Sequence, residues 1–223
     1  MTQPAFVTFT GLDAAVDLDR VAALSARYPI EWGVLFSPKL QGEGRYPPLE
    51  AVERIRARNG LRLAAHVCGR HARTVVETGA CPDLLPHLEG GFGRIQINTA
   101  ARDPDLGAIA AFARSVAPEA RAILQCRDPD AFPSDGTVDW LYDRSAGNGL
   151  LPESWPVPSG PRLVGYAGGL GPETVAAALT AIRARHPDGT PYWIDMESRI
   201  RDASDRLDLD RCEAVLRIVF PEA

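Results

Sequence analysis

The chain contains almost no lysine: of its 24 basic residues, only Lys39 is a lysine. Its four cysteines lie far apart and form no C-x-x-C pair, which favours reduced thiols. No apolar run is long enough to span a bilayer, and the first residues do not form a basic region followed by an apolar stretch. We therefore expect neither a membrane anchor nor a secretory signal, and a cytoplasmic location. Any Schiff-base chemistry would have to use Lys39.

The composition is that of a globular protein. The 223 residues are 45% hydrophobic and 24% charged, which predicts a single domain over residues 1–223. The net charge of −5 argues against a nucleic-acid partner. No repeat or low-complexity linker is visible, and we interpret the proline-rich segment Pro152–Pro161 as an ordered loop.

Apolar stretches of strand length alternate with segments whose apolar residues recur every three or four positions. The strands are predicted at Phe6–Gly11, Trp32–Ser37, Leu61–Gly69, Arg94–Asn98, Ala122–Cys126, Trp140–Asp143, Leu163–Ala167 and Tyr192–Glu197. The helices are predicted at Leu18–Ala26, Pro48–Arg58, Ala72–Thr78, Leu106–Val116, Glu173–Arg185 and Leu209–Val219. This alternation predicts an α/β fold, a compact (β/α)8 TIM barrel. An open doubly wound sheet is the alternative, which the lack of G-x-G-x-x-G after the first strand disfavours.

Polar residues gather at the carboxyl ends of the predicted strands, where a TIM barrel has its active site. Residues two apart share one face of a strand. The polar residues that share a face or close a strand are Thr8 and Thr10, His66 and Cys68, Gln96 and Asn98, Asp195 and Glu197, Gln125, and Asp143. Because buried polar groups need partners, the cluster indicates a solvent-accessible functional site at this end of the barrel. The alternative is structural: acidic residues paired with nearby arginines, a core histidine, and amides that organise hydrogen bonds.

The segment from His66 to His71 superficially resembles a metal cluster. Its spacing matches no standard zinc pattern, and His71 is expected to lie on a helix that faces away. No metal and no other cofactor are therefore expected.

Paired glycines stand at the end of the seventh predicted strand. Gly168 and Gly169 precede a helix that starts near Pro172. Without a Cβ, their backbone N–H groups can approach a ligand closely, and the helix N-terminus adds a positive dipole end. The pattern predicts an anion cradle, most simply for a phosphate; the alternative is a tight turn that binds nothing.

Several segments carry a family resemblance along nearly the whole chain. They read Thr-Phe-Thr-Gly-Leu from Thr8, Ile-Gln-Ile-Asn from Ile95, Leu-Tyr-Asp-Arg from Leu141, Tyr-Ala-Gly-Gly-Leu-Gly-Pro-Glu-Thr-Val from Tyr166, and Ile-Asp-Met-Glu-Ser from Ile194. Together they resemble phosphoribosylanthranilate isomerase, a ribulose-phosphate-binding TIM barrel. That family performs an Amadori rearrangement, in which an acid opens the ribose ring and a base takes the C2 proton.

The resemblance implies roles for individual residues. It implies that Asp143 is the acid, while Thr10 stands where the family has its basic cysteine. His66, with an unperturbed pKa of about 6.5, or Glu197 is expected to replace that base. The binding residues implied for the phosphorylated substrate are Gly168, Gly169, Ser198, Arg199, Lys39, Gln96, Asn98, Gln125, Gly147 and Gly149. Lys39 occupies the place of a family arginine, and Arg199 that of a glycine.

The sequence thus predicts a phosphosugar isomerase-like enzyme. Two other functions stay open: an aldolase or lyase that uses Lys39, and a barrel that binds a small anion without catalysis. In each case the expected partner is a small phosphorylated or anionic metabolite, with neither nucleic acid nor membrane, and the chain is a monomer or homodimer.

Overall fold

The computed structural model describes residues 3–144, 149–158, 160–187 and 189–222. Its strands are β1 (Phe6–Thr10), β2 (Ile30–Phe36), β3 (Leu63–Val67), β4 (Arg94–Ile97), β5 (Arg121–Cys126), β6 (Asp139–Tyr142), β7 (Val164–Tyr166) and β8 (Tyr192–Met196). They pair in parallel and in chain order, and β8 also pairs with β1, which closes the sheet into a barrel. The predicted TIM barrel is confirmed, and the alternative of an open doubly wound sheet is wrong.

The helices lie outside the barrel and pack their apolar residues on it. They are α1 (Leu18–Arg27), α2 (Leu49–Arg56), α3 (Gly69–Thr78), α4 (Leu85–Leu88), α5 (Leu106–Val116), α6 (Val175–Arg185) and α7 (Leu209–Val219). Three start at the predicted residue because an aspartate side chain accepts first-turn N–H groups: Asp17, Asp105 and Asp208. In the part of the chain that the structure describes, no helix is long and apolar enough to cross a membrane.

Some element boundaries differ from the predicted ones. β2 begins at Ile30 rather than Trp32, and α3 begins at Gly69 rather than Ala72. Neither α4 nor a 3-10 turn at Ser198–Ile200 was predicted, because both are too short to show a helical period. Residues 127–138 form no helix, as their proline content suggested.

The amino-terminal half of the barrel interior is filled by large side chains. The Trp193 ring lies against Gly165, where a Cβ would come within 2.3 Å of an indole carbon. The Phe6 ring stacks on Trp193 with centroids 6.0 Å apart. Leu141 and Ile123 complete this apolar cluster. This half of the barrel is therefore closed, and a ligand can only enter from the other end.

A buried ion cluster lies beside these rings. The Arg94 guanidinium donates to Glu31 Oε1 at 3.0 Å and lies 3.5 Å from Asp139 Oδ2. It also covers the Trp193 ring at 3.9 Å from the centroid. Thr8 donates a further hydrogen bond to Glu31 at 3.0 Å. Buried charges need such partners, so the cluster is part of the structural base beneath the mouth of the barrel.

Candidate active site

A cavity of about 470 Å³ opens at the carboxyl ends of the strands, and every strand end contributes to it. The predicted site residues that line it are Asp143, His66, Glu197, Gly168, Gly169, Ser198, Arg199, Gln96, Asn98, Gln125 and Gly149. Two predicted site residues do not appear in this set. Lys39 is exposed in the loop after β2 and does not line the cavity. Gly147 lies outside the described residues.

Asp195, on β8, occupies the floor of the cavity and is 6% exposed. The Thr10 hydroxyl donates to its Oδ1 at 2.9 Å. Burial raises the pKa of Asp195 well above its usual value, and the carboxylates of Glu197, Glu31 and Asp143 raise it further, against the lowering effect of the Thr10 hydrogen bond. This environment therefore favours the protonated carboxyl group over the carboxylate.

His66, on β3, faces the same carboxyl group. Its Nε2 is buried, lies 4.0 Å from Asp195 Oδ2, and has no hydrogen-bond partner among the described residues. Burial lowers the pKa of His66 to about 3, and the positive charge of Arg94 adds to that effect. The imidazole is therefore neutral at physiological pH and is a weak base.

Glu197 lies at the rim of the cavity rather than on its floor. Its carboxylate forms an ion pair with Arg45, 2.5 Å from the guanidinium nitrogen Nη1. The same guanidinium binds Asp205 at 2.5 Å through Nη2. These contacts join the loop before α2 to the segments that follow β8, so Glu197 is engaged in holding the rim together.

Asp143, at the end of β6, is 7% exposed. The Gln125 amide lies within hydrogen-bond distance of it and donates to Oδ2 at 3.3 Å. Asp143 and Asp195 therefore stand on the two strands that flank β7, and their charges are close enough to interact.

A chain of polar side chains continues from β4 to β3. The Gln96 amide donates to Asn98 Oδ1 at 2.8 Å, and the Asn98 amide donates to the Cys68 sulfur at 3.0 Å. Tyr46, from the loop before α2, also hydrogen-bonds Cys68. Burial nevertheless raises the pKa of the Cys68 thiol, with Glu197 adding to it. The thiol is therefore protonated at neutral pH.

The corner between β7 and β8 is built from backbone. Gly168 and Gly169 have φ angles of 102° and 64°, in the left-handed region that favours glycine. Neither their N–H groups nor that of Ser198 donates to another group of the described chain. A Cβ on Gly169 would lie 2.5 Å from the Leu151 nitrogen, so residues 149–151 pass directly over this glycine. The corner is therefore partly covered by the chain itself.

Arg199 brings a positive charge to the same corner. The Arg199 Cβ packs against Gly171, and a Cβ added at Gly171 would lie only 2.5 Å from it. Its Nε is buried without a hydrogen-bond partner among the described residues, and its side chain lines the cavity. A guanidinium therefore lines the same cavity as backbone amide groups that donate to no other described residue, which is a favourable setting for an anion.

Sequence reasoning missed several residues of this cavity. The sequence predicts that Asp195 lies on the inward face of its strand, but it does not mark this residue as catalytic, because its burial depends on strands far apart in the sequence. Tyr46 and Arg127 lie in loops, where no periodic pattern marks them. Cys68 was visible as the strand-end neighbour of His66, two residues along the same face. Among the described residues, no group of three or more His, Cys, Asp or Glu side chains is placed to hold a metal ion.

Solved structures of phosphoribosylanthranilate isomerase match the chain over nearly its whole length. The enzyme from Thermus thermophilus is 15% identical, with a TM-score of 0.63 over 97% of this chain and 99% of that one. TrpF from Jonesia denitrificans is 19% identical, with a TM-score of 0.62 over 96% of each chain. The Thermotoga maritima enzyme is 14% identical, with a TM-score of 0.59 over 96% and 98%.

These likenesses define a class of fold: the chain is a (β/α)8 barrel similar to the phosphoribosylanthranilate isomerase structures. At identities below 20%, the likeness extends to the fold alone. No family model matches the chain, and no curated protein matches it.

Proposed function

We propose that this chain is an enzyme that isomerises a phosphorylated sugar by acid–base chemistry, of the aldose–ketose or Amadori type. The observation that carries the proposal is the buried carboxyl group of Asp195. Its place on the cavity floor, and a raised pKa that makes its carboxylate more basic than that of an ordinary aspartate, suit a group that takes and returns a proton. The amide-lined corner with Arg199 lies in the same cavity and suits the phosphate of such a substrate.

Isomerisation requires a base that removes the proton from C2. We assign this role to Asp195 rather than to His66 or Glu197, the two bases expected from the sequence. The lowered pKa of His66 makes its imidazole a weak base, and Glu197 is occupied by Arg45. Thr10 supports the assignment because its hydroxyl donates to Oδ1 of Asp195 and holds the carboxyl group in place.

The acid in this scheme is Asp143. It would give its proton to the ring oxygen of the sugar as the ring opens. Asp195 would take the proton from C2 and give it to C1, and the 2-hydroxyl group would return a proton to Asp143 as the C2 carbonyl forms. Gln125 holds the Asp143 carboxyl group in place. Asp143 and Asp195 lie on either side of β7, so a substrate whose phosphate rests beyond Gly168 and Gly169 would extend between them.

The aldolase alternative lacks support, because Lys39 does not line the cavity. The barrel that binds an anion without catalysis stays as the second possibility, favoured by Thr10 in place of a basic residue. We further propose that the partner is a small phosphorylated or anionic metabolite, that the chain acts as a monomer or homodimer, and that it works in the cytoplasm.

Binding and proton exchange together test the proposal. Inorganic phosphate, ribulose 5-phosphate and reduced 1-(o-carboxyphenylamino)-1-deoxyribulose 5-phosphate, the ligand of one solved phosphoribosylanthranilate isomerase complex, serve as probes in thermal-shift assays. The phosphate esters should stabilise the chain by mass action, and Arg199→Met should weaken that effect. Stabilisation by non-phosphorylated sugars alone would exclude the phosphate premise.

Catalysis is tested with ribose 5-phosphate and N-(5′-phosphoribosyl)anthranilate in D₂O, by following deuterium incorporation and product formation with NMR. Asp143→Asn and Asp195→Asn should lose turnover and still be stabilised by the probes. Asp83→Asn, a change at an exposed aspartate away from the cavity, is the control and should retain turnover. Binding of phosphate esters with no exchange or turnover would establish the barrel that binds without catalysis.

A further inference from the structure

The carboxyl group of Asp195 is approached from two sides by different donors. Thr10 Oγ1 donates to Oδ1 at 2.9 Å, whereas Oδ2 faces His66 Nε2 across 4.0 Å. That separation is too long for a hydrogen bond, and no other described residue bonds to Nε2. A buried imidazole nitrogen without a partner is uncommon and calls for an explanation.

The backbone of β2 keeps this space open. Gly33 faces into the barrel between Thr10 and His66, and a Cβ there would lie 2.8 Å from Thr10 Oγ1 and 2.9 Å from His66 Nε2. Because Nε2 is inaccessible to solvent, a ligand in the cavity cannot bind it directly. The carboxyl group of Asp195 is therefore the group that this nitrogen can serve.

We infer that His66 is a positioning residue for Asp195: its neutral imidazole carries the proton on Nε2 and donates it as a hydrogen bond to Oδ2 when Asp195 is ionised. This inference rests on the proposed function, because Asp195 is the base of the proposed reaction. On ionisation, a small movement of either side chain closes the gap and stabilises the carboxylate.

Other charged groups around Asp195 oppose its ionisation. Glu31 on β2 and Glu197 after β8 bear on it through their negative charges, and Asp143 after β6 does so whenever it has given up its proton. Arg94 on β4 acts on His66 and disfavours a charged imidazole. Among the described residues, β5 and β7 themselves present Ile123, Gln125, Gly165 and Ala167 to this part of the interior, none of which titrates, and the cation Arg127 lines the cavity just after β5. Thr10 and His66 are therefore the two donors placed to favour the carboxylate against burial and these negative charges.

The imidazole tautomer is tested in the unaltered protein. Two-dimensional ¹⁵N NMR of the side chain should show the Nε2-protonated neutral form of His66, unchanged from about pH 5 to pH 8, because its pKa lies near 3. A proton on Nδ1, which would leave no donor facing Asp195, would overturn the inference.

Substitution of His66 tests the effect on the carboxyl group. A glutamine amide nitrogen occupies the place of Nε2, whereas an asparagine amide is too short to reach it. The titration midpoint of Asp195, followed by ¹³C NMR of the aspartate carboxyl carbons and assigned with Asp195→Asn, should rise by about one pH unit in His66→Asn, a tenfold change in the ionisation constant. His66→Gln should keep it near the original value. His87→Gln, on α4 and outside the cavity, is the matched control.

Equal midpoints in the Asn and Gln variants would refute the role of Nε2. So would an unchanged midpoint in both. Neither measurement needs a substrate, so an inactive chain with the expected tautomer and titrations would contradict the proposed function and leave the pairing of His66 with Asp195 intact. Where turnover is found, the acid limb of its pH profile should move with the midpoint in His66→Asn and return in His66→Gln.

Discussion

Replacement of Gly169 by alanine separates two reasons for a glycine at the end of β7. The first is its φ of 64°, which costs a residue with a Cβ roughly 1–2 kcal/mol. The second is steric: the new Cβ would meet the Leu151 nitrogen at 2.5 Å and the Leu150 carbonyl carbon at 2.7 Å. Both are backbone atoms, so the contact is relieved only by moving the segment, and overpacking of this kind costs about 1–3 kcal/mol. Gly169→Ala should therefore lose about 2–5 kcal/mol of unfolding free energy.

Gly60→Ala is the matched control, because Gly60 has a φ of 82° and an added Cβ would meet nothing within 4 Å. It should lose only the conformational part, roughly 1–2 kcal/mol. Urea unfolding followed by tryptophan fluorescence measures both losses, and phosphate-induced thermal shifts report on the anion corner. Gly169→Ala should weaken the response to phosphate, and Gly60→Ala should not. Equal stability losses in the two variants would refute the close contact of residues 149–151 with Gly169.

Three further predictions concern groups inside the barrel and one outside it. Because the pKa of His66 is lowered in the native state, the unfolded chain binds a proton below pH 6.5 that the native state does not bind. The free energy of unfolding therefore falls by about 1.4 kcal/mol per pH unit below pH 6.5, and His66→Gln should remove this loss. The pKa of Asp195 is shifted in the opposite direction, so above pH 3.8 the native state keeps a proton that the unfolded chain loses. The free energy of unfolding gained by Asp195→Asn, measured by urea unfolding at a series of pH values, should therefore grow as the pH rises. Parallel pH profiles for these variants and the unaltered chain would contradict both assignments. Arg94→Met should cost about 1.5–3 kcal/mol, because Glu31 and Asp139 lose a buried partner and keep only Arg62, Arg121 and Thr8, with phosphate affinity retained; a loss under about 1 kcal/mol would show the Arg94 contacts to be dispensable. Lys39→Met should leave turnover unchanged, and borohydride should trap no carbonyl compound on Lys39; an adduct there would revive the aldolase.

The barrel was predictable because its signal is repeated eight times. Each strand is an apolar run of ordinary length, and helices of clear periodicity separate most of them. Caps such as Asp17 and Asp208 are local, so the helix starts could be predicted to the residue. The inward face at the strand ends was predictable too, because alternation along a strand is a property of the backbone.

The chemistry of the site was less accessible, because it depends on contacts between distant strands. The pKa of Asp195 depends on its burial, on the Thr10 hydrogen bond and on carboxylates on β2 and after β6 and β8, and that of His66 depends on its burial in the barrel. Arg45 removes Glu197 from the floor through a loop that has no periodic pattern. Lys39 was expected to bind substrate because the phosphoribosylanthranilate isomerase family, which the sequence resembles, has an arginine at this place.

The space at Gly33 has a consequence for how this barrel can diverge. A single added methyl group there would collide with both Thr10 and His66, so none of the three positions can change freely while the other two stay the same. In related chains we expect Gly33, Thr10 and His66 to be inherited or lost as a set, although they lie on three different strands. We therefore expect the joint presence of Gly33, Thr10 and His66 to mark chains that have the same arrangement around Asp195.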